Sequence, residues 1–121
     1  MGKLVFVEDD PAIRKLTQAA LRASAHDIHF AANGREGLEL ILRVRPDVVF
    51  TDVSMPEMNG LELADAIRAR PELAGMKIVF ITASTQRDQI DRYTARGASA
   101  YIAKPFSTAE LRAQVERLVP A

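Results

Sequence analysis

Short apolar runs rich in β-branched and aromatic residues recur along the chain and predict β-strands. Four of these runs are continuously apolar, at residues 4–7, 48–50, 78–81 and 101–102. Strands without polar alternation are typical of a parallel sheet, so we expect both faces of these strands to be covered. A weaker run at residues 28–31 predicts a strand at the edge of the sheet.

The segments between the runs carry apolar residues at the spacing of amphipathic helices. These residues share one face of each helix: Ile13, Leu16, Ala20 and Leu21; Leu38, Ile41 and Leu42; Leu63, Ala66 and Ile67; Leu111, Val115 and Leu118. Asp10 precedes Pro11 and is interpreted as a helix cap rather than a metal ligand. Other helix ends are indicated by Asn33-Gly34 before the second helix, Gly97 after the fourth, and the capping-box pair Ser107 and Glu110 before the last.

Strand and helix patterns alternate five times, which indicates an α/β fold. We expect a doubly wound (βα)5 architecture, with a parallel sheet and helices on both of its faces. The 121 residues are enough for a single domain, residues 1–121, and too few for a second of ordinary size. Such sheets bind ligands beyond the carboxyl ends of the strands, so the residues after each strand are the candidate site.

Charge and composition exclude several functions. The 16 basic and 16 acidic residues give zero net charge, so we expect no direct nucleic acid binding by this segment. The absence of cysteine excludes disulfides and thiolate chemistry. The apolar runs are too short to span a membrane, and the start of the chain has no signal-peptide pattern. We therefore expect a soluble, cytoplasmic domain without membrane contact.

Polar residues follow the predicted strands in a specific pattern. Glu8 and Asp9 follow the first strand, Asp52 the third, Thr82 the fourth and Lys104 the fifth. Two carboxylates about 4 Å apart repel by about 4 kcal/mol at an effective dielectric constant of about 20. Such a cluster needs a positive charge, for which the candidates are Lys104 and a bound cation. Oxygen ligands without histidine or cysteine favour Mg²⁺ over zinc or copper.

The same residues fit phosphoryl transfer. A carboxylate beside Mg²⁺ and a lysine can attack phosphorus and form an acyl phosphate. The reaction otherwise needs positioning and neutralisation of the phosphoryl oxygens. Mg²⁺ would take one oxygen, Lys104 a second, and the Thr82 hydroxyl with backbone amides the third.

These motifs, in this order and at these strand ends, resemble the receiver domains of two-component response regulators. The resemblance is carried by Glu8-Asp9, residues 52–60, Thr82-Ala83 and residues 101–106. It covers essentially the whole chain and implies a flavodoxin-like fold with strand order 2-1-3-4-5. It also implies a protein that is not an enzyme, beyond catalysing its own phosphorylation and dephosphorylation.

The resemblance implies a role for each matching site residue. Asp52 would accept the phosphoryl group, and Lys104 would bind it. Asp9 and Asp52 would ligate Mg²⁺ directly, with Glu8 beside the ion, often through water. Ser54 would contribute its backbone carbonyl to the metal.

The resemblance also implies a switch. Thr82 would move toward the phosphoryl group and Tyr101 would turn inward, changing the surface of the fourth helix, fifth strand and fifth helix. Pro105 would follow a peptide bond that is commonly cis in this family. The positions that influence acyl-phosphate hydrolysis hold Ser54 and Ser84, neither an acid nor an amide, so slow self-dephosphorylation is predicted.

Partners follow from the family rather than from single residues. The phosphodonor would be a phosphohistidine of a sensor histidine kinase or a histidine phosphotransfer protein. The target would be a downstream protein or an output domain, and a dimer on phosphorylation stays open beside a monomer. The chain is either a complete regulator or part of a longer protein; the final helix, which runs nearly to Ala121, favours the first.

Three other classes are weaker. An aspartate-nucleophile phosphatase needs a second aspartate where this chain has Ser54, and usually a cap domain. A flavin-binding module needs a phosphate loop where Glu8 and Asp9 would repel a phosphate. A purely structural interaction domain is excluded only if Asp52 and Lys104 are functional.

Overall fold

The computed structural model describes residues 2–55, 57–73, 75–83 and 86–119. Within these ranges the strands are β1 (Lys3–Val7), β2 (Asp27–Ala31), β3 (Val48–Asp52), β4 (Lys77–Thr82) and β5 (Ala100–Ala103). The helices are α1 (Pro11–Ala20), α2 (Gly34–Val44), α3 (Gly60–Arg68), α4 (Arg87–Ala95) and α5 (Thr108–Leu118), with a 3₁₀ turn at Pro71–Leu73. Across the same ranges, no helix has the length and apolar character that crossing a membrane requires.

The five strands form one parallel sheet in the order β2-β1-β3-β4-β5. The predicted flavodoxin-like order is therefore confirmed. Val7 pairs with Ala31 on one side and Thr51 on the other, and Thr82 pairs with Ala103. The carboxyl ends of the strands consequently lie along one edge, with the topological switch point beyond β1 and β3.

Alternate residues of the sheet point into two apolar cores on opposite faces. Val49 and Phe80 belong to the core that also contains side chains of α2, α3 and α4. Phe6 and Phe50 belong to the other core, which contains side chains of α5. The Phe6 ring stacks at 4.7 Å from Phe50 and 5.7 Å from Phe30, so aromatic packing joins β2, β1 and β3.

The predicted helix ends are confirmed. The side chains of Asp10 and Asn33 cap α1 and α2, and Ser107 and Glu110 form a complete capping box at α5. Gly97 follows α4 with a φ of 72°, a backbone conformation that favours glycine. Local polar signals therefore determine where these helices begin or end.

Two expectations about burial are wrong. Both faces of β1, β3 and β4 are covered, but in β5 Tyr101 is 40% exposed and Ala103 is also exposed. The reason is that β5 forms an edge of the sheet and buries only Ile102. Leu16, on the apolar face predicted for α1, is 47% exposed. By contrast, the expected edge position of β2 is confirmed.

Candidate functional site

Four strand ends bring polar side chains to one edge of the sheet. Glu8 and Asp9 follow β1, Asp52 ends β3, Thr82 ends β4 and Lys104 follows β5. Because β3 lies between β1 and β4, the acidic residues become neighbours across strands. Lys104 forms one ion pair with Glu8 and a second with Asp52.

Asp52 lies at the centre of the cluster and is only 5% exposed. Its Oδ2 accepts a hydrogen bond from Lys104 Nζ at 2.7 Å, and its Oδ1 accepts one from the Ser54 backbone N–H at 3.3 Å. The following loop folds back tightly, since the Gly60 N–H donates to the Val53 carbonyl at 2.9 Å. A Cβ on Gly60 would overlap the Asp52 carbonyl oxygen, so this approach requires glycine.

Glu8 is the second buried carboxylate, with 3% of its surface exposed. Its Oε1 lies 3.1 Å from Lys104 Nζ, and its Oε2 accepts a hydrogen bond from the Asp10 backbone N–H at 3.2 Å. Burial, followed by the adjacent Asp52 carboxylate, raises the pKa of Glu8 from 4.5 to about 7. A negative charge on Glu8 is therefore disfavoured by its burial and by the neighbouring Asp52 carboxylate.

Lys104 supplies the positive charge that holds the two carboxylates together. Burial lowers the pKa of Lys104, but its contacts with the Asp52 and Glu8 carboxylates together outweigh burial and raise this pKa above its usual value. The Lys104 backbone N–H donates to the Thr82 carbonyl at 2.7 Å, which fixes the loop after β5 against β4. The peptide bond from Lys104 to Pro105 is cis, as predicted.

The acidic cluster fits a hard cation. Glu8, Asp9 and Asp52 each offer a carboxylate oxygen within 4.8 Å of the other two. The buried Glu8 Oε1 has no aligned hydrogen-bond donor, although Lys104 lies 3.1 Å away as an ion-pair partner. A cation at this position would give this oxygen a second positive partner. Carboxylate oxygens are the ligands that Mg²⁺ prefers.

Thr82 has a contact that the sequence did not predict. Its Oγ1 lies 2.7 Å from the hydroxyl oxygen of Tyr93, a residue of α4 that is 1% exposed. Tyr101, predicted as the switch partner, has its ring 6.2 Å from the Tyr93 ring. The inward movement of Tyr101 stays a prediction. The only sequence signal for Tyr93 is its spacing of three residues from Ile90 on α4.

These side chains line a cleft of about 340 Å³ that opens at the carboxyl edge of the sheet. Its walls comprise Asp52, Val53, Ser54, Thr82, Ala83, Gln89, Tyr93 and Lys104. Gln89 and Tyr93 of α4 are the two lining residues that sequence reasoning missed. The Ser54 side chain is exposed, and Ser84 lies outside the described residues. Slow dephosphorylation and the metal contact of the Ser54 carbonyl stay predictions.

The fold and the cleft together define a class. This is a doubly wound α/β domain with a buried carboxylate at its switch point, flanked by an ammonium and two further carboxylates. Such a site is suited to holding a divalent cation and an anionic group next to one nucleophilic oxygen.

Comparison with known proteins identifies the family. The sequence matches the response regulator receiver domain over residues 4–116. The phosphate regulon transcriptional regulatory protein PhoB of Rhizobium meliloti is 35% identical over 120 residues, which cover 98% of this chain and 52% of that protein. The chemotaxis protein CheY4 of Vibrio cholerae superposes with a TM-score of 0.91 at 30% identity, covering 98% of this chain and 99% of that one.

A further solved structure is the receiver domain of the sensor histidine kinase PA1611 of Pseudomonas aeruginosa, with a magnesium ion coordinated in its active site cleft. It has a TM-score of 0.86 at 26% identity and covers 97% of this chain and 96% of that one. The present chain therefore belongs to the response regulator receiver domains, a family of signalling domains. It spans about half the length of the first curated relatives that it matches.

Proposed function

We propose that this receiver domain, residues 1–121, accepts a phosphoryl group on Asp52 in a Mg²⁺-dependent reaction. The donor is a phosphohistidine of a sensor histidine kinase or a histidine phosphotransfer protein. The observation that carries the proposal is the 2.7 Å contact between Asp52 and Lys104 in the cleft at the carboxyl edge of the sheet. A buried carboxylate directed at an ammonium, at the switch point of the sheet, is what a phosphoacceptor requires.

The metal would be held by Glu8, Asp9 and Asp52, with the backbone carbonyl of Ser54 completing the protein ligands. Two observations support this assignment. The buried Glu8 Oε1 accepts no hydrogen bond, and all the side-chain ligand atoms of the cluster are carboxylate oxygens. When bound, Mg²⁺ supplies positive charge that neutralises the phosphoryl oxygens.

The chain's own residues provide the rest of the transfer site. A carboxylate oxygen of Asp52 forms the bond to phosphorus as the bond to the donor nitrogen breaks. The Lys104 ammonium neutralises a phosphoryl oxygen, and the Thr82 hydroxyl donates a hydrogen bond to another. The phosphatase alternative would need an acid at the position of Ser54, which has an exposed hydroxyl instead.

Phosphorylation then acts as a switch of the α4-β5-α5 surface that controls a partner or an output domain. The phosphoryl group adds close to two negative charges and three acceptor oxygens. Near-complete switching from a small active population needs about 5.5 kcal/mol of differential stabilisation. A few charge-assisted hydrogen bonds of about 1.5–3 kcal/mol each are sufficient.

Intact-mass analysis after incubation with acetyl phosphate tests this proposal. We expect one added phosphoryl group in the presence of Mg²⁺ and none in EDTA or in Asp52→Asn. Asp10→Asn is the matched control, because asparagine caps a helix as well as aspartate does, and this variant should be phosphorylated like the wild type. Wild-type protein that is folded and loaded with Mg²⁺ but gains no phosphoryl group would contradict the proposal.

A further inference from the structure

The hydrogen bond between Thr82 and Tyr93 suggests how α4 senses the site. Resting on the proposed function, we propose that the Tyr93 hydroxyl restrains Thr82 in the unphosphorylated domain and is released when Thr82 turns to the phosphoryl group. Tyr93, on α4, is then the side chain through which phosphorylation of Asp52 reaches the α4-β5-α5 surface. The residue that contacts Thr82 is then Tyr93 of α4, whereas the family resemblance gives this role to Tyr101 of β5.

Tyr93 is placed to restrain Thr82. The two hydroxyl oxygens are 2.7 Å apart, and both side chains line the cleft that contains Asp52. The Tyr93 ring packs at 5.1 Å from Phe80, a residue of the same strand as Thr82, and is 1% exposed. A ring anchored in the core does not follow Thr82, so a movement of Thr82 toward the phosphoryl group breaks the contact.

Tyr93 is the most deeply buried side chain of α4. It is the only fully buried residue of this helix, and Ile90, which is half-buried, packs against the same core. A change at the Tyr93 hydroxyl therefore acts on a side chain that holds α4 against the sheet. By thermodynamic linkage, whatever weakens this bond also favours occupancy of the phosphoryl site.

Tyr101 is less well placed for the same task. Its side chain is 40% exposed, and Tyr93 already occupies the position beside the Thr82 hydroxyl. Tyr101 can approach Thr82 only after the contact between Thr82 and Tyr93 has broken. The order of events is therefore loss of the Thr82–Tyr93 contact first and rearrangement of Tyr101 afterwards.

The first test measures the affinity for fluoroberyllate, a non-covalent phosphoryl analogue, by calorimetry in the presence of Mg²⁺. Tyr93→Phe keeps the ring and removes the restraining hydroxyl, so we expect roughly two- to tenfold tighter binding, the range of one net hydrogen bond. Thr94→Val removes an exposed hydroxyl from the next residue of the same helix and should bind like the wild type, and Tyr101→Phe is measured beside it. In a Thr82→Ala background, Tyr93→Phe should have no further effect.

Three other results of these binding measurements would contradict the proposal. Unchanged or weaker binding by folded Tyr93→Phe would overturn the restraint, as would an equal gain in the Thr82→Ala background. A gain in Tyr101→Phe instead of Tyr93→Phe would transfer the role to Tyr101. If the wild type gains no phosphoryl group from acetyl phosphate, the proposed function itself fails, which this series detects separately from a failure at Tyr93.

Fluorescence gives a second, independent measurement. The chain has two tyrosines and no tryptophan, so in Tyr101→Phe all tyrosine emission comes from Tyr93. We expect this emission to change on addition of fluoroberyllate and to become insensitive to it when Thr82→Ala is added. Saturating binding without any change in Tyr93 emission would contradict the proposal.

Discussion

At the scale of single residues, the ammonium of Lys104 balances two buried carboxylates. It lies 2.7 Å from Asp52 and 3.1 Å from Glu8. Removing one partner of such a group leaves buried charge uncompensated, which is far more costly than losing an exposed ion pair.

Lys104→Met should therefore lower the free energy of unfolding by about 3 kcal/mol in EDTA at a pH where both carboxylates are ionised, the low end of the usual cost because Lys104 is partly exposed. Mg²⁺ should restore part of this loss, since a cation replaces the missing charge. Denaturant unfolding with and without Mg²⁺ measures both effects, and Lys15→Met on the exposed side of α1 is the control. Equal stability of the Lys104 variant and the wild type would show that the ammonium does not hold the carboxylates.

The raised pKa of Glu8 predicts how stability depends on pH. Folding raises this pKa from 4.5 to about 7, so the folded state binds the proton more tightly than the unfolded state. The stabilisation is complete below pH 4.5 and is lost as the pH rises through about 7, with a total of at most about 3 kcal/mol.

Unfolding measured in EDTA across this pH range should show the decrease, and Glu8→Gln should remove it. Saturating Mg²⁺ should also reduce it, because the cation stabilises the ionised carboxylate. A slope that persists in Glu8→Gln would assign the pH dependence to another group.

At the scale of elements, the start of α3 is positioned by a close backbone approach. Gly60 begins α3, and a Cβ there would overlap the carbonyl oxygen of Asp52. Helix propensity alone favours alanine over glycine by about 1 kcal/mol. Propensity alone would make Gly60→Ala stabilising, whereas the overlap with the Asp52 carbonyl oxygen predicts that it is destabilising.

Gly60→Ala should lower the free energy of unfolding by about 1–3 kcal/mol, the usual cost of overpacking. It should also slow phosphorylation, since Asp52 is displaced. Gly75→Ala is the matched control, because a Cβ at Gly75 meets nothing within 4 Å. Chemical denaturation compares the two variants, and a Gly60 variant as stable as the wild type would refute the steric argument.

The elements also show what could be predicted from the sequence. Strand positions and helix caps depend on local patterns, and the structure confirms them, including the Asp10 cap of α1. The exposure of Tyr101 and Leu16 could not be predicted, because periodicity identifies a face but not whether another element covers it. The contact between Tyr93 and Thr82 could not be predicted either, because it depends on how α4 packs against β4.

At the scale of the whole molecule, the site follows from the topology. The order β2-β1-β3-β4-β5 places the ends of β1 and β3 side by side, which brings Glu8 and Asp52 together although 44 positions separate them in the sequence. This cluster could be predicted from the sequence because the carboxyl ends of parallel strands lie at the same edge of the sheet. The roles of its members depend on chemistry that only a measurement on the protein tests.

The most direct test of the central claim locates the phosphoryl group itself. Protein phosphorylated by acetyl phosphate in Mg²⁺ is reduced with borohydride, which converts an aspartyl phosphate to homoserine, and its peptides are sequenced by mass spectrometry. We predict homoserine at position 52 alone, and none when EDTA is present during phosphorylation. Homoserine at position 9 or 10, or its absence from a protein that carries a phosphoryl group, would contradict the assignment of Asp52 as the acceptor.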